Sequence, residues 1–94
     1  MSHQKIEIEV EIKNADGLHM RPAMQFVDTA SKYSCDITVS NGDVSVDGKS
    51  IMQMTMLAAT QGTKLKITAD GQDGQQAIEE LRELVEVRHF EPAS

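Results

Sequence analysis

Residues Lys5 to Lys13 alternate without a break. Ile6, Ile8, Val10 and Ile12 fall on one side, and Lys5, Glu7, Glu9, Glu11 and Lys13 on the other. A period of two, with β-branched residues on the apolar side, is the pattern of a half-buried strand. The charged side must face water, so the sheet built on this strand is covered on one face only.

The remaining signals follow closely, with no repeat, low-complexity tract or linker between them. After the turn-rich Asn14-Ala15-Asp16-Gly17, Arg21-Pro22 opens a helix whose apolar stripe is Ala23, Phe26, Val27 and Ala30. The i, i+3, i+4, i+7 spacing predicts a helix from near Arg21 to about Tyr33, with proline in the first turn, where its missing N–H costs nothing. Cys35, Ile37 and Val39, then Val44 and Val46, alternate about Asn41-Gly42, a hairpin signal. Ser50 begins a short helix with a capping-box pattern to Gln53, and Gln61-Gly62 ends that region. Leu65, Ile67 and Ala69 alternate as a fourth strand. A second capping-box pattern, Asp73 to Gln76, opens a last helix that runs to about Val87 on Ala77, Ile78, Leu81, Leu84 and Val85. Phe90 to Ser94 could pack or fray.

The order is β-α-β-β-α-β-α. A right-handed crossover through the first helix makes strands one and two parallel to each other. Strand four carries Lys64 and Lys66 on its wet face, where strand one carries Glu7, Glu9 and Glu11. Opposite charges on facing strands are favourable, so strand four belongs beside strand one and antiparallel to it. The expected fold is an α+β open-faced sandwich: a four-stranded antiparallel sheet, order 1-4-2-3, with three helices on one face.

Composition narrows the function. Ninety-four residues suit a single domain, with its core expected over about residues 5–88 and a tail beyond. A net charge of −6 argues against nucleic acid or an anionic membrane as partner. No apolar run approaches the roughly 18 residues needed to cross a bilayer, and no leader pattern opens the chain, so the cytosol is the expected compartment. Three scattered histidines and one cysteine match no zinc spacing. No metal or other cofactor is expected. His3 and His89 read as solvated, and Cys35 as a small buried apolar residue.

The chemistry concentrates in Asp16-Gly17-Leu18-His19-Met20-Arg21-Pro22. A histidine just ahead of a helix start meets free N–H groups and a partial positive charge, and Arg21 adds an always-charged planar donor. Such a corner could hold a phosphoryl group, and the imidazole could carry it covalently. The plainer alternative is a surface histidine before an ordinary proline-started helix. Ser50, after Gly48-Lys49, reads either as an N-cap or as a phosphorylation site, and the two are compatible. Met52, Met54 and Met56 exceed what one helix stripe can bury, so an apolar docking patch and a loosely packed short helix both remain open.

Gly17-Leu18-His19-Met20-Arg21-Pro22-Ala23, Gly48-Lys49-Ser50-Ile51-Met52, Met56-Leu57-Ala58-Ala59 and Gln61-Gly62 together resemble the HPr family. These are the histidine phosphocarriers of the bacterial phosphoenolpyruvate-dependent phosphotransferase system. The similarity runs from about Lys5 to about Glu91. It implies that His19 accepts phosphate on Nδ1 from enzyme I and passes it to enzyme IIA, with Arg21 assisting, Pro22 fixing the helix start, and Asp16 and Gly17 shaping the loop. The resemblance also implies that Met20 and Ala23 belong to the phosphate-binding turn. The protein would be a stoichiometric, monomeric carrier rather than an enzyme. Docking is expected around Met20, Met24, Lys49, Ile51, Met52 and Met54. Ser50 matches the serine that an ATP-dependent HPr kinase/phosphorylase modifies in some bacteria, so a regulatory module driven mainly by Ser50 is the alternative. Met20 stands where alanine is usual. Gln53 and Thr55 differ from the regulatory patch of low-GC Gram-positive members, which puts recognition by a transcriptional regulator of that type in doubt. Members that serve only regulation lack the histidine, which this chain has.

Overall fold

A computed structural model describes residues 5–15 and 17–90; His3 and Asp16 lie outside them. The elements are β1 (Lys5–Glu11), α1 (Met20–Ala30), β2 (Asp36–Ser40), β3 (Ser45–Asp47), α2 (Ile51–Met56), β4 (Lys64–Asp70) and α3 (Gly74–Arg82), which continues as a π turn over Glu83–Val87. The sheet order is β1-β4-β2-β3, antiparallel throughout. Glu9 faces Lys66 and Glu11 faces Lys64 across β1 and β4, as the charge pattern requires.

Helix α3 packs on β1 and β4, and α1 packs on α2 and α3. Between the layers lie the inward residues of every strand and the stripes of the helices. Phe26, Ile12, Leu65, Ile67 and Leu81 are fully buried. Each such side chain contributes roughly 1.5–3 kcal/mol by leaving water. Ile6 and Ile8 are only half-covered, because they sit on the edge strand and pack against the rim of the core. Cys35 is buried, and loss of water pushes its thiol up to about 11, so it is a packing residue at neutral pH.

Four local expectations change. Helix α1 ends at Ala30 rather than near Tyr33. The chain tightens there through Lys32 and Tyr33 N–H groups donating to the carbonyls of Thr29 and Ala30, both at 3.2 Å. Val44 points outward instead of sharing the inward face with Val46. Asn41 Oδ1 accepts from the N–H groups of both Asp43 and Val44, which holds Val44 in the turn and delays β3 to Ser45. Asp73 does not cap α3. Its carboxylate instead accepts from Ser34 N–H at 2.7 Å and Cys35 N–H at 2.9 Å, and these bonds hold it below the usual aspartate range. Gln53 does not close a reciprocal box on Ser50; its Oε1 accepts from Asp47 N–H at 2.9 Å.

Of the tail after the π turn, Phe90 packs, while residues 91–94 lie outside the described ones. Phe90 is buried, and its N–H donates to the Leu84 carbonyl at 2.9 Å. No helix among the described residues is long and apolar enough to cross a membrane.

Candidate functional site

The loop between β1 and α1 is fastened to the loop after α2. Ile12 N–H donates to the Thr63 carbonyl and Gly62 N–H to the Ile12 carbonyl, Leu18 N–H donates to the Ala59 carbonyl at 2.9 Å, and Gln61 Nε2 donates to the Lys13 carbonyl at 3.1 Å. Gly17 makes this approach possible. Its φ is +73°, and a Cβ there would stand 2.5 Å from Ala59 O and 2.9 Å from Thr60 Cα. Asn14 Nδ2 closes the loop on the Gly17 carbonyl at 2.7 Å. Buried Leu18 then pins the chain one residue before His19.

His19 is the N-cap of α1, with extended backbone at φ −85° and ψ −167°, and its imidazole makes no capping bond. Its carbonyl accepts from Ala23 N–H at 2.9 Å. Pro22 has no N–H to offer. The backbone N–H groups of Met20 and Arg21 therefore remain, and neither has an acceptor among the described residues. These are the donors that a helix start turns toward an anion. Ala23 was expected to help bind phosphate, but its N–H is spent within the helix and its methyl is buried. It serves packing.

His19 and Arg21 are both exposed and line one open cleft of about 670 Å³ with Lys13, Asn14, Pro22, Gln25, Gln61 and His89. Among the described lining residues there is no carboxylate, while Lys13 and Arg21 are cationic. Asn14 Oδ1 and Gln25 Oε1 are buried in the wall without a donor. Asn14 is oriented by its bond to Gly17, so that oxygen is fixed as an acceptor. The cleft thus offers a nucleophilic ring, a guanidinium and an ammonium to a small anion, at the first turn of α1. Lys13, Asn14, Gln25 and His89 are not singled out as site residues by the sequence, because they come from the loop before α1, from α1 itself and from beyond α3.

Ser50 sits at the start of α2, half-buried, and its Oγ accepts from Gln53 N–H at 3.2 Å. Lys49 is tied down, its Nζ donating to the Tyr33 carbonyl at 2.7 Å. The methionines of α2 divide by phase: Met52 and Met56 are 74% and 69% exposed, and Met54 is fully buried at 0%. Met54 is therefore removed from the docking surface. At 100° per residue, 52 and 56 share a face while 54 lies nearly opposite. Met20, Met24 and Ile51 are exposed as well, on two helices that pack together.

Residues 6–87 match the family described as PTS HPr component phosphorylation site. The phosphocarrier protein HPr of Haemophilus influenzae is 51% identical over 77 residues, covering 82% of this chain and 91% of that protein. A crystal structure of HPr-C-His from Thermoanaerobacter tengcongensis superposes with a TM-score of 0.86 at 43% identity, covering 94% of this chain and 99% of its own. An HPr dimer from the same organism superposes at 0.72, with 45% identity over 87% of this chain and 94% of its own. By sequence and fold together, the chain belongs to the HPr family of phosphotransferase-system phosphocarriers.

Proposed function

We propose that His19 accepts a phosphoryl group from phospho-enzyme I and donates it to enzyme IIA components. The observation that carries this reading is the exposed His19 ring beside Arg21 and the two N–H groups of the first turn of α1 that have no acceptor among the described residues. In each step the phosphorus–nitrogen bond to the donor breaks as the bond to the acceptor imidazole forms. Little covalent work is left to the protein, so position and charge govern the rate. Before attack, the ring must be neutral with its attacking nitrogen free. After transfer, Arg21 and the helix donors hold the phosphoryl oxygens. The openness of the cleft keeps that hold weak enough for onward donation. A stoichiometric carrier in the cytosol, acting as a monomer, needs no more machinery than this.

Partners would seat on the apolar surface of Met20, Met24, Ile51 and Met52, extended by Met56. Encounters of this kind are short-lived, and a small interface suffices. Ser50 is the proposed regulatory phosphorylation site, for an HPr kinase/phosphorylase. A phosphate there would stand at the N-terminus of α2, against a favourable helix dipole and next to the docking methionines.

Incubation with enzyme I and labelled phosphoenolpyruvate tests the carrier reading. Acid-labile label that disappears in His19→Ala is expected; an unlabelled wild-type chain would overturn the reading. Acid-stable label from ATP and the kinase, lost in Ser50→Ala, is expected for the regulatory site.

A further inference from the structure

His89 stands in the wall of the His19 cleft without a part in the carrier reading. It is held there firmly. Its φ is 51° and that of Phe90 is 63°, a region of backbone space that side chains disfavour. The buried Phe90 ring and the bonds from Arg88 and Phe90 N–H to the carbonyls of Glu83 and Leu84, both 2.9 Å, hold the turn in place. His89 Nε2 lies 3.0 Å from the Glu86 carbonyl. A carbonyl can only accept, so Nε2 carries a hydrogen. In the neutral ring Nδ1 is then bare, and in the cation it becomes a second donor.

The charged groups around this ring come from several elements. Lys13 follows β1, and His19 and Arg21 begin α1. Arg88 precedes His89 in the chain. Glu86 holds the ring by its carbonyl, while its carboxylate accepts from Glu11 N–H at 3.0 Å on β1. A phosphoryl group on His19 would bring up to two negative charges to a cleft whose described lining carries cations.

We propose that His89 is the proton-carrying partner of the phosphoryl group: when His19 is phosphorylated, His89 Nδ1 takes one proton from water and donates it to a phosphoryl oxygen. This rests on the carrier reading of His19. No bond to phosphorus forms at His89, and the proton returns to water when the phosphoryl group leaves. The bond is charge-assisted at both ends. Linkage makes the effect reciprocal: a proton on His89 favours phosphate on His19 by the same factor. A proton on His89 therefore favours the phosphorylated form of this chain and makes it a poorer donor.

The test uses the full chain carrying ¹⁵N-labelled histidine, phosphorylated with enzyme I and phosphoenolpyruvate at neutral pH. The His89 Nδ1 resonance is expected to move toward its protonated position in the phosphorylated form. Alongside it, the phosphoryl distribution between enzyme I and this chain is measured at pH 8 and pH 6 in the wild type and in His89→Asn, since asparagine tolerates this backbone. The wild type should shift toward the phosphorylated chain by about threefold more than the variant, the size expected for one charge pair in an open cleft. A phosphorylated His19 with an unmoved Nδ1 and equal pH dependence in both chains overturns this inference alone. Failure of His19 to take acid-labile phosphate overturns the carrier reading and this inference with it.

Discussion

Helices α1 and α2 pack against each other, and each begins at a residue with extended backbone, His19 at φ −85° and Ser50 at φ −116°. Ser50 turns its oxygen back onto Gln53 N–H and so supplies its own helix with an acceptor. His19 makes no such bond, and the N–H groups of Met20 and Arg21 have no acceptor among the described residues. One first turn is closed by its own side chain; the other waits for an anion. A serine cap adds about 1 kcal/mol to helix stability, and an imidazole at the same position gives that up. The contrast shows how a site can be made by withholding a local bond that a structural helix would take.

Arg21 offers the largest break in this comparison. If the α1 corner holds phosphate by charge and direction, Arg21→Ala should slow phosphoryl transfer about 10²-fold, the usual scale for removing one preorganised donor. Thermal stability should hardly move, since Arg21 has no partner among the described residues. Rapid-quench transfer from phospho-enzyme I measures the first and calorimetry the second. A variant that transfers normally would leave the open first turn without its main cation.

Gly17→Ala addresses the placement of His19 rather than its chemistry. The new methyl would meet the Ala59 carbonyl and the Thr60 backbone, at a positive φ that alanine disfavours. The expected cost is about 2 kcal/mol of stability. Transfer should fall as well, because the loop carrying His19 is displaced from its anchor on the segment after α2. Denaturant unfolding and the transfer rate are read on the same sample. An unchanged rate in a destabilised variant would mean that the anchor serves folding only.

A smaller effect tests the two caps directly. Ser50→Ala should lose about 1 kcal/mol, while His19→Ala should lie within about 0.5 kcal/mol of the wild type. Equal losses in urea unfolding would erase the distinction between a closed and an open first turn.

Which of these features the sequence discloses depends on whether the cause is local or distant. The alternation of Lys5 to Lys13 and the charges of Lys64 and Lys66 are enough to order the strands, and Glu9 opposite Lys66 realises that argument. The His19–Arg21–Pro22 run and the Ser50–Gln53 pairing lie within one helical turn, so they are readable in the same way. Asp73 is different. Its pattern reads as a cap, yet its carboxylate serves Ser34 and Cys35, neighbours that only the tertiary fold supplies. Helix α2 is six residues long, too short for the sequence to set its phase, and Met54 turns inward where Met52 and Met56 do not. His89 reaches the cleft because Phe90 is buried, and the only signal for that was one aromatic residue after the last helix.

The smallest effect separates the two ends of α1. At its start an anion is a visitor; just past its end a resident carboxylate is already in place. Glu80 accepts from the Lys32 ammonium and the Tyr33 phenol, and those bonds, Lys32 first, hold it below the usual glutamate range. A carboxyl group depressed in the folded state contributes stability that is full above its unfolded value of 4.5 and is lost as pH falls through its folded value. Glu80→Gln should therefore flatten the decline of melting temperature as pH falls below the unfolded value of 4.5, at a cost near neutrality below about 1 kcal/mol, since Lys32 is largely exposed and water screens the pair. Tyr33 supplies the opposite check. The Glu80 bond is the main reason its phenol is pushed up to about 12 from 10.0, so its share of stability is full below 10.0 and lost as pH rises through about 12. Ultraviolet titration of Glu80→Gln should find the phenol ionising nearer its ordinary value. If the acid limb keeps its wild-type slope and the phenol does not move, Glu80 is not the resident anion, and the C-terminal end of α1 is as open to charge as its start.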